Sequence, residues 1–413
     1  MQQSVEERDV LILGGGFAGA YVARLLRGRR PTIVSLENFM LYTPLLPEAA
    51  SGTLEPRHTV VPLRAMCPQA ELVLGRAETL DLEARTTTVA GRTLRWADLV
   101  VALGAVPRTL PIPGLANHGI AFKSLADAIY LRNHVLRQLE AADGALNESE
   151  RSRLLTFVFV GAGYAGVEAL AELSDLVEDA LRYYPRLRET KRRWVLVDAA
   201  PRILPEIPPP LGDYAAAELR RRGIEIHVDT TLESASPDEA VLGDGTRIPT
   251  RTLVWTAGVA PNPLLHDWSL PLDEKGRVEV DELLRVRGHE HVWALGDCAR
   301  VPNTRSDRPD PPTCQHALRQ ARRLAKNLTG APRPYGYRML GQVATLGRHK
   351  GIAEVPGLRL RGFLGWWVTR SYHLYQLPLA QRKVRVVVDW TVSLFFRRDI
   401  VELGQLGHPE RLG

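Results

Sequence analysis

Two glycine-rich segments have residue types and spacing that suit binding of a phosphate-bearing cofactor. Each follows a short apolar run typical of a buried parallel strand, and each fits G-x-G-x-x-G. The first glycine permits a tight turn, the second lets a pyrophosphate approach the backbone, and the third allows close helix–strand packing. The following helix N-terminus attracts the phosphates. The candidate cofactor-binding residues are Gly14, Gly16, Phe17, Ala18 and Gly19 in the first segment and Gly161, Gly163, Tyr164 and Gly166 in the second.

An acidic residue follows the next predicted strand in each unit. The first is Glu37, with Asn38 beside it, and the second is Asp198. A carboxylate at this position can accept hydrogen bonds from ribose hydroxyls. The charge of Asp198 also disfavours the 2′-phosphate of NADPH, although nearby Arg202 could accommodate it. For a nicotinamide dinucleotide, we therefore expect NADH to be preferred over NADPH.

The elements that must position these residues are strands that end in small residues or glycine. Where such a strand ends, the chain can pass close to a cofactor, and an aspartate after Gly296 can accept from a ribityl hydroxyl. The predicted strands are Pro31–Leu36, Asp98–Gly104, Leu154–Val160, Trp194–Val197, Thr252–Gly258 and Glu290–Asp297. The cofactor-binding candidates that they add are Ala102, Gly104, Gly258, Gly296 and Asp297.

Composition limits the remaining choices. The chain has 413 residues, 24% of them charged, and a net charge of +6, which favours an anionic partner. Its length predicts two or more domains. Three cysteines far apart give no disulfide framework, and we expect no metal site. The N-terminal segment is not typical of a signal peptide, and no stretch of ~18 apolar residues could span a membrane. We expect the protein in the cytosolic compartment.

In order and spacing, these motifs resemble the two-dinucleotide flavoprotein disulfide reductase superfamily. No cysteine lies in the segment Asn38–Gly52, where the dithiol of true disulfide reductases would stand. Sulfide:quinone oxidoreductases need redox cysteines that this chain also lacks. The Tyr42–Gly52 segment, Pro312–Ala317 and the aromatic, basic C-terminus instead resemble type II NADH:quinone oxidoreductases over essentially the whole chain.

This resemblance implies roles for three further residues. Glu168 matches a glutamate near the nicotinamide–flavin contact, and Gln315 matches a glutamine of the flavin and quinone pocket; both are catalytic candidates. Gln315 and His316 are also cofactor-binding candidates, with capping of the predicted helix Ala317–Leu328 as the alternative. Arg319 replaces the family's second glutamine, which leaves the quinone preference open.

The C-terminal third interleaves aromatic and cationic residues, and Phe363–Leu379 contains no acid. Rings beside cations suit a membrane interface. A homodimer interface or a single-stranded nucleic-acid platform is the alternative, and nucleic acid is the weakest because no recognition motif accompanies the pattern. A lipid-soluble quinone requires such a surface, so we expect peripheral attachment to the cytoplasmic face of the membrane.

The predicted fold is α/β, with two Rossmann-like dinucleotide-binding domains. The first binds FAD and is interrupted by the second, which binds NADH. The expected activity is non-electrogenic, FAD-dependent electron transfer from NADH to a membrane quinone. The alternatives are a soluble NADH-dependent flavoprotein reductase and an NADH-responsive flavoprotein resembling apoptosis-inducing factor. The predicted boundaries are 1–120 and 271–330 for the FAD domain, 150–270 for the NADH domain, and 331–413 for the C-terminal membrane or dimer region.

Overall fold

The computed structural model describes residues 5–339 and 341–402. Its α-helices are α1 (Phe17–Leu25), α2 (Leu46–Ala50), α3 (Leu63–Met66), α4 (Leu115–His118), α5 (Leu125–Gly144), α6 (Glu148–Leu154), α7 (Tyr164–Ala180), α8 (Pro209–Arg221), α9 (Cys314–Asn327), α10 (Gly362–Gln376) and α11 (Ala380–Phe395). Short 3₁₀ helices cover Thr43–Leu45, Pro56–Thr59, Leu181–Tyr183, Pro185–Leu187, Pro263–Asp267 and Gly296–Cys298.

The strands in the first half of the chain are β1 (Val5–Leu13), β2 (Pro31–Ser35), β3 (Phe39–Leu41), β4 (Val60–Pro62), β5 (Glu71–Leu74), β6 (Ala77–Asp81), β7 (Thr86–Val89), β8 (Arg92–Val101), β9 (Ala105–Pro107), β10 (Gly119–Ala121), β11 (Thr156–Val160) and β12 (Arg193–Val197). Those in the second half are β13 (Ile224–His227), β14 (Leu232–Ala235), β15 (Glu239–Leu242), β16 (Arg247–Pro249), β17 (Thr252–Trp255), β18 (Val259–Pro261), β19 (Val278–Glu279), β20 (Val292–Ala294), β21 (Ala299–Arg300), β22 (Gln342–Thr345), β23 (Gly351–Val355) and β24 (Leu358–Arg361).

The chain forms two compact units, each made of three segments. Unit 1 contains Met1–Tyr42, Val60–Val106 and Val259–Met339, and unit 2 contains Thr43–Thr59, Pro107–Gly258 and Leu340–Gly413. The short segment Thr43–Thr59 and the C-terminal residues thus lie with the second glycine fingerprint. The predicted domain scheme instead assigned them to the FAD domain and to a separate C-terminal region, and that scheme stays a prediction.

Unit 1 is built on a sheet with the strand order β5-β2-β1-β8-β7-β6, in which β20 also pairs with β8. Strands β5, β2, β1, β8 and β20 run parallel, whereas β6 and β7 form an antiparallel extension. Residues Val10–Leu13 of β1 are fully buried, as expected for a central parallel strand covered on both faces. The predicted strand–turn–helix order around Gly14–Gly19 is confirmed.

Unit 2 repeats this design with a parallel sheet in the order β10-β17-β11-β12-β13. All five residues of β11 are buried, and α7 follows it directly. The antiparallel strands β22, β23 and β24 form a separate small sheet in this unit. The prediction of two Rossmann-like folds is therefore confirmed. Among the described residues, no helix is both long enough and apolar enough to cross a bilayer.

Candidate functional site

In the first glycine turn, in unit 1, Gly14 and Gly19 are closely packed, whereas Gly16, the second glycine of the fingerprint, faces open space. Gly14 has φ +116°, and a β-carbon there would lie 2.8 Å from the Ala102 carbonyl carbon. A β-carbon on Gly19 would lie 3.0 Å from Cγ2 of Ile12. At Gly16 a β-carbon would meet nothing within 4 Å. The turn therefore needs Gly14 and Gly19 for its own packing and leaves open space beside Gly16, where a pyrophosphate could approach.

The predicted acid of this unit stands just past β2. Glu37 and Asn38 are exposed, and the Asn38 carbonyl accepts a 2.9 Å hydrogen bond from the backbone N–H of Leu63. Glu37 thus stands just after the carboxyl end of β2. This strand pairs with β1, the strand that precedes the glycine turn. This is the position from which a ribose can be held.

The Gly-Asp segment lies against the same turn. Gly296 has φ +76°, and a β-carbon there would lie 3.0 Å from the β-carbon of Ala18 on α1. The backbone N–H of Gly296 donates to Oε1 of Gln320, 2.8 Å away. Asp297 belongs to the short 3₁₀ helix that follows. Residues from both ends of unit 1 thus converge on the N-terminus of α1.

Gln320 is a site residue that the sequence reasoning missed. It is buried, and its Nε2 donates to Asp310 at 2.9 Å, while the Tyr335 hydroxyl donates to the same carboxylate at 2.7 Å. This network fixes the amide that holds Gly296. The available signal was its place one helical turn after the predicted His316, on the same face of α9.

Helix α9 begins at Cys314, three residues before the predicted start, because Thr313 is its N-cap. His316 is buried, and its Nδ1 lies 2.7 Å from the Thr313 hydroxyl. Burial lowers the pKa of His316, so it packs here as a neutral ring. Gln315 accepts a 3.4 Å hydrogen bond from the Tyr337 hydroxyl, and the guanidinium of Arg319 lies over the same tyrosine ring.

The second glycine turn, in unit 2, has the same construction as the first. Gly161 has φ +113°, and a β-carbon there would lie 2.5 Å from the Thr256 carbonyl carbon. A β-carbon on Gly166 would lie 2.6 Å from Oγ1 of Thr256. Gly163 again faces open space, as does Gly258 at φ +88°. This turn can therefore admit a second pyrophosphate.

Asp198 directly follows β12, and its carboxylate accepts a hydrogen bond from the glycine turn itself. Its Oδ2 accepts from the backbone N–H of Ala162, and its Oδ1 accepts from that of Ala200 at 2.7 Å. The guanidinium of Arg202 donates to the carbonyls of Ile207 and Pro205, at 2.8 and 2.5 Å. Asp198 is thus held at the glycine turn, whereas the guanidinium of Arg202 braces the loop that follows.

Glu168 lies one turn into α7. Its side chain is buried and is hydrogen-bonded to Thr345. Its Oε1 accepts hydrogen bonds from the backbone N–H of Thr345 at 2.8 Å and from the Thr345 hydroxyl at 3.3 Å. Burial raises the pKa of Glu168 to about 8, opposed by the Thr345 hydrogen bonds and reinforced by the charges of Glu172 and Glu48. At neutral pH this carboxyl group is mostly protonated, so it can act as a proton donor.

The other acids on this face of α7 are paired with arginines. Glu172 accepts from Arg398 at 2.8 Å, Asp179 accepts from Arg398 at 3.1 Å, and Asp175 accepts from Arg222 at 2.6 Å. Residues spaced three or four apart on a helix share one face, so the stripe that begins at Glu168 continues as a row of ion pairs. Within the part of the chain that the structure describes, no arginine pairs with Glu168, so no counterion offsets the burial that raises its pKa.

A second buried acid was also missed by the sequence reasoning. Glu48 on α2 is 3% exposed and lies 3.3 Å from Nε of Arg370, while Nε1 of Trp390 donates to it at 2.5 Å. Arg370 in turn packs over the rings of Trp366 and Trp390. These residues lie on α2, α10 and α11, which are far apart in the sequence, so no local motif could indicate the contact.

The environments of Cys67 and Cys298 are typical of cysteines that have a structural role. Cys67 and Cys298 are buried, and burial raises the pKa of both thiols to about 11. Cys314, at the start of α9, is half-buried. A thiolate is the reactive form of cysteine, so neither buried thiol is primed for redox chemistry.

The C-terminal helices expose a large apolar surface. On α11, Val384, Val388, Val392 and Phe395 are 50–78% exposed and recur at helical spacing. On α10, Trp367 is 57% exposed, whereas Trp366 is 6% exposed. Trp366 is buried because it packs against His349, Phe363 and Arg370, so of these two adjacent tryptophans only Trp367 can contact a membrane. We name this apolar surface of α10 and α11 the tail face.

Known proteins resemble this chain over most of its length. Residues 8–321 match the family described as pyridine nucleotide-disulphide oxidoreductase. The chain is 30% identical to a probable NADH dehydrogenase of Dictyostelium discoideum, over 96% of this chain and 91% of the relative. It is also 30% identical to a type II NADH:quinone oxidoreductase of Mycobacterium tuberculosis, over 96% and 90% of the two chains.

A solved structure has the same fold. The NDH2 of Plasmodium falciparum in complex with NADH superposes with a TM-score of 0.88 over 96% of this chain and 100% of that one, at 18% identity. The resemblance inferred from the motifs is confirmed. The chain belongs to the pyridine nucleotide-disulphide oxidoreductase family and, within it, to the type II NADH:quinone oxidoreductases, FAD-dependent enzymes that pass electrons from NADH to a quinone.

Proposed function

We propose that FAD is held by the first glycine turn, in unit 1, and NADH by the second, in unit 2. The observation that carries this assignment is that one turn is built twice, each time with open space at its middle glycine, Gly16 or Gly163. Ala102 and Gly296 border the FAD turn, Gly104 and Asp297 stand close to them in the sequence, and Glu37 is the candidate that binds the ribose. Bound FAD would accept two electrons from NADH and release them to a quinone.

Two features of unit 2 favour NADH over NADPH. The Asp198 carboxylate lies at the glycine turn, where a 2′-phosphate would meet a like charge. The guanidinium of Arg202 already donates to two backbone carbonyls and braces a loop. Both features leave the 2′-position suited to a hydroxyl group.

Glu168 and Gln315 are the catalytic residues of the proposal. Protonated Glu168 can donate from Oε2 to a carboxamide or carbonyl oxygen, while Thr345 holds its Oε1 in place. Gln315 carries an amide that can donate to a quinone carbonyl, and its Oε1 is oriented by Tyr337. These roles rest on the family resemblance together with the fixed positions of the two side chains.

We further propose that the tail face attaches peripherally to the cytoplasmic face of the membrane and thus gives access to a long-tailed quinone. Its exposed valines and rings supply apolar area. Positive charge comes from exposed Arg385 and half-exposed Lys383 on α11, and from exposed Arg359 on the neighbouring strand β24. Both contributions are typical of an interfacial helix. A homodimer interface would use the same surface and is the outcome to test against it.

The test is a steady-state assay of the purified, FAD-loaded protein with NADH or NADPH and a series of quinones. The proposal expects NADH to be the better donor and a long-tailed quinone in vesicles to be reduced rapidly. Slow quinone turnover with fast reduction of an iron–sulfur protein would overturn the acceptor assignment.

A further inference from the structure

Unit 2 contains a cavity of about 290 Å³ whose wall is rich in arginine. It lies where the end of α2, the helix α5 and the helices α10 and α11 come together. Its wall includes Arg132, Arg348, Arg370, Arg397 and Arg398. We name it the arginine cavity.

Two of these arginines are neutralised by buried carboxylates. Arg370 pairs with Glu48, and Arg398 pairs with Glu172 and Asp179. Their charges are part of the packing of unit 2 and leave little attraction for a ligand.

The other three arginines have weaker partners. Arg132 is 4% exposed, and its guanidinium donates to the backbone carbonyls of Asp399 and Val401 at 2.6 and 2.5 Å. Arg348 donates to the Ser393 carbonyl at 2.9 Å. Arg397 is half-exposed and lies 4.0 Å from the nearest oxygen of Asp179. A carbonyl satisfies an N–H group but does not neutralise a guanidinium charge.

With Arg370 and Arg398 paired, three guanidinium groups and three carboxylates remain on the wall, and two of the three carboxylates have other partners. The carboxylates are those of Glu55, Asp389 and Asp399. Asp389 accepts from the imidazole of His58 and from the backbone N–H of Glu55, and Glu55 itself binds Arg57. Burial lowers the pKa of Arg132, and the charges of Asp399 and Glu55 only partly oppose this effect.

The wall is continuous with the tail face. Val392 and Phe396 line the cavity and are exposed on the outer side of the C-terminal segment. A ligand with a charged group inside and an apolar part outside would satisfy both surfaces. Phosphate oxygens suit planar guanidinium donors better than any neutral group does.

We propose that the arginine cavity binds the phosphate of an anionic lipid head group. The choice of a lipid over free phosphate rests on the proposed membrane attachment, while the anion site itself does not. Arg348 and Arg397 are the ligand-binding residues, and Arg132 supplies charge from behind them.

The first experiment tests for the anion site with soluble probes. The thermal midpoint of the FAD-loaded enzyme is measured with glycerol 1-phosphate, inorganic phosphate, or chloride at equal ionic strength. The phosphates should raise it by about 3 °C in the wild type and in a matched control, Arg359→Gln with Lys383→Gln, whose side chains lie outside the cavity wall. The rise should vanish in Arg348→Gln with Arg397→Gln. An equal rise in both double variants, or no rise in the wild type, would overturn the site.

A second pair of variants guards against misfolding of the arginine variant. Val392→Glu introduces a carboxylate at a half-exposed position of the wall, and Val388→Glu introduces one at an equally exposed position one turn earlier. Only Val392→Glu should abolish the phosphate effect. The same loss in both would contradict the proposal.

The source of the phosphate is decided with vesicles. Cosedimentation with phosphatidic acid vesicles should fall roughly 5-fold further in the arginine-cavity variant than in the matched control, with no such difference on phosphatidylcholine. Equal losses in both variants, with the thermal result intact, would overturn the lipid source and identify a site for a free phosphate compound.

Discussion

Thr345 donates to one oxygen of Glu168 from both its backbone N–H and its hydroxyl, across 177 positions of sequence. The contact joins strand β22 of the C-terminal sheet to the helix that follows the second glycine turn. It fixes the carboxyl group without supplying a charge. Thr345 therefore holds Glu168 in one place, while burial keeps the carboxyl group largely protonated, the state in which it can donate to a ligand.

The first prediction concerns the pH dependence that burial of Glu168 creates. The folded-state pKa of Glu168, about 8, is above the unfolded value, so ionisation opposes folding. The stabilisation is complete below about pH 4.5 and is lost as the pH rises toward 8. Relative to Glu168→Gln, the free energy of unfolding of the wild type should fall by up to about 1.4 kcal/mol per pH unit in this window. Denaturant unfolding at several pH values measures it, and parallel curves would contradict a buried neutral acid.

The second prediction separates the two glycine turns. Because a β-carbon at Gly16 or Gly163 meets nothing within 4 Å, valine there should block a ligand and leave the fold intact. Gly16→Val should purify without FAD, whereas Gly163→Val should keep FAD and show a strongly raised KM for NADH. The flavin absorbance per protein and NADH kinetics check this, and each variant is the control for the other. A Gly16→Val protein with a full complement of flavin would mean that FAD lies elsewhere.

The third prediction concerns the preference for NADH. Asp198→Asn removes the charge and keeps one of the two side-chain oxygens that accept from the backbone N–H groups of Ala162 and Ala200. We expect the ratio of kcat/KM for NADPH to that for NADH to rise by about tenfold, equivalent to about 1.4 kcal/mol. An unchanged ratio would remove Asp198 from the ribose site.

The fourth prediction is that no cysteine is needed for turnover. Cys67 and Cys298 are buried thiols with raised pKa values, so they are poor nucleophiles. The triple variant Cys67→Ser, Cys298→Ser and Cys314→Ser should retain NADH-driven flavin reduction. The rate of flavin reduction is measured by rapid mixing with NADH. Loss of reduction in a folded, FAD-loaded triple variant would require a thiol mechanism.

The fifth prediction tests the tail face. Trp367 and Phe395 are exposed, and each buried ring contributes about 2 kcal/mol, so replacing both by serine should reduce vesicle binding by at least about tenfold. Reduction of a long-tailed quinone should slow, and that of a short, soluble quinone should change little. The matched control is Tyr183→Ser with Leu146→Ser, two exposed residues away from α10 and α11. If the tail variant instead dissociated a dimer and bound vesicles normally, the tail face would be a subunit interface.

The sequence predicted both Rossmann-like units because their signals are local. A buried strand, three glycines and a helix follow one another within 25 residues, and the strands end within a few residues of their predicted limits. Glu168 could be placed on its helix for the same reason. Its partner Thr345 could not be identified, since a hydrogen bond between distant segments leaves no periodic pattern.

The failures have the same physical origin. The aromatic and basic pattern of the tail indicated a surface but could not distinguish buried Trp366 from exposed Trp367, which are adjacent and differ in burial by helix rotation alone. Gln320 and the Glu48–Arg370 pair were missed because their roles depend on neighbours brought close by the fold. Likewise, the location of Thr43–Thr59 in unit 2 follows from packing, not from any local motif.

The most direct measurement is an anaerobic titration of the purified protein followed by its absorbance. NADH added to the yellow enzyme should bleach the flavin band, and a long-tailed quinone supplied in vesicles should restore it within the turnover time, including in the triple cysteine variant. NADPH should bleach it far less efficiently. A flavin band that NADH leaves unchanged, or that an iron–sulfur protein restores while quinone does not, would contradict transfer of electrons from NADH to quinone by this chain.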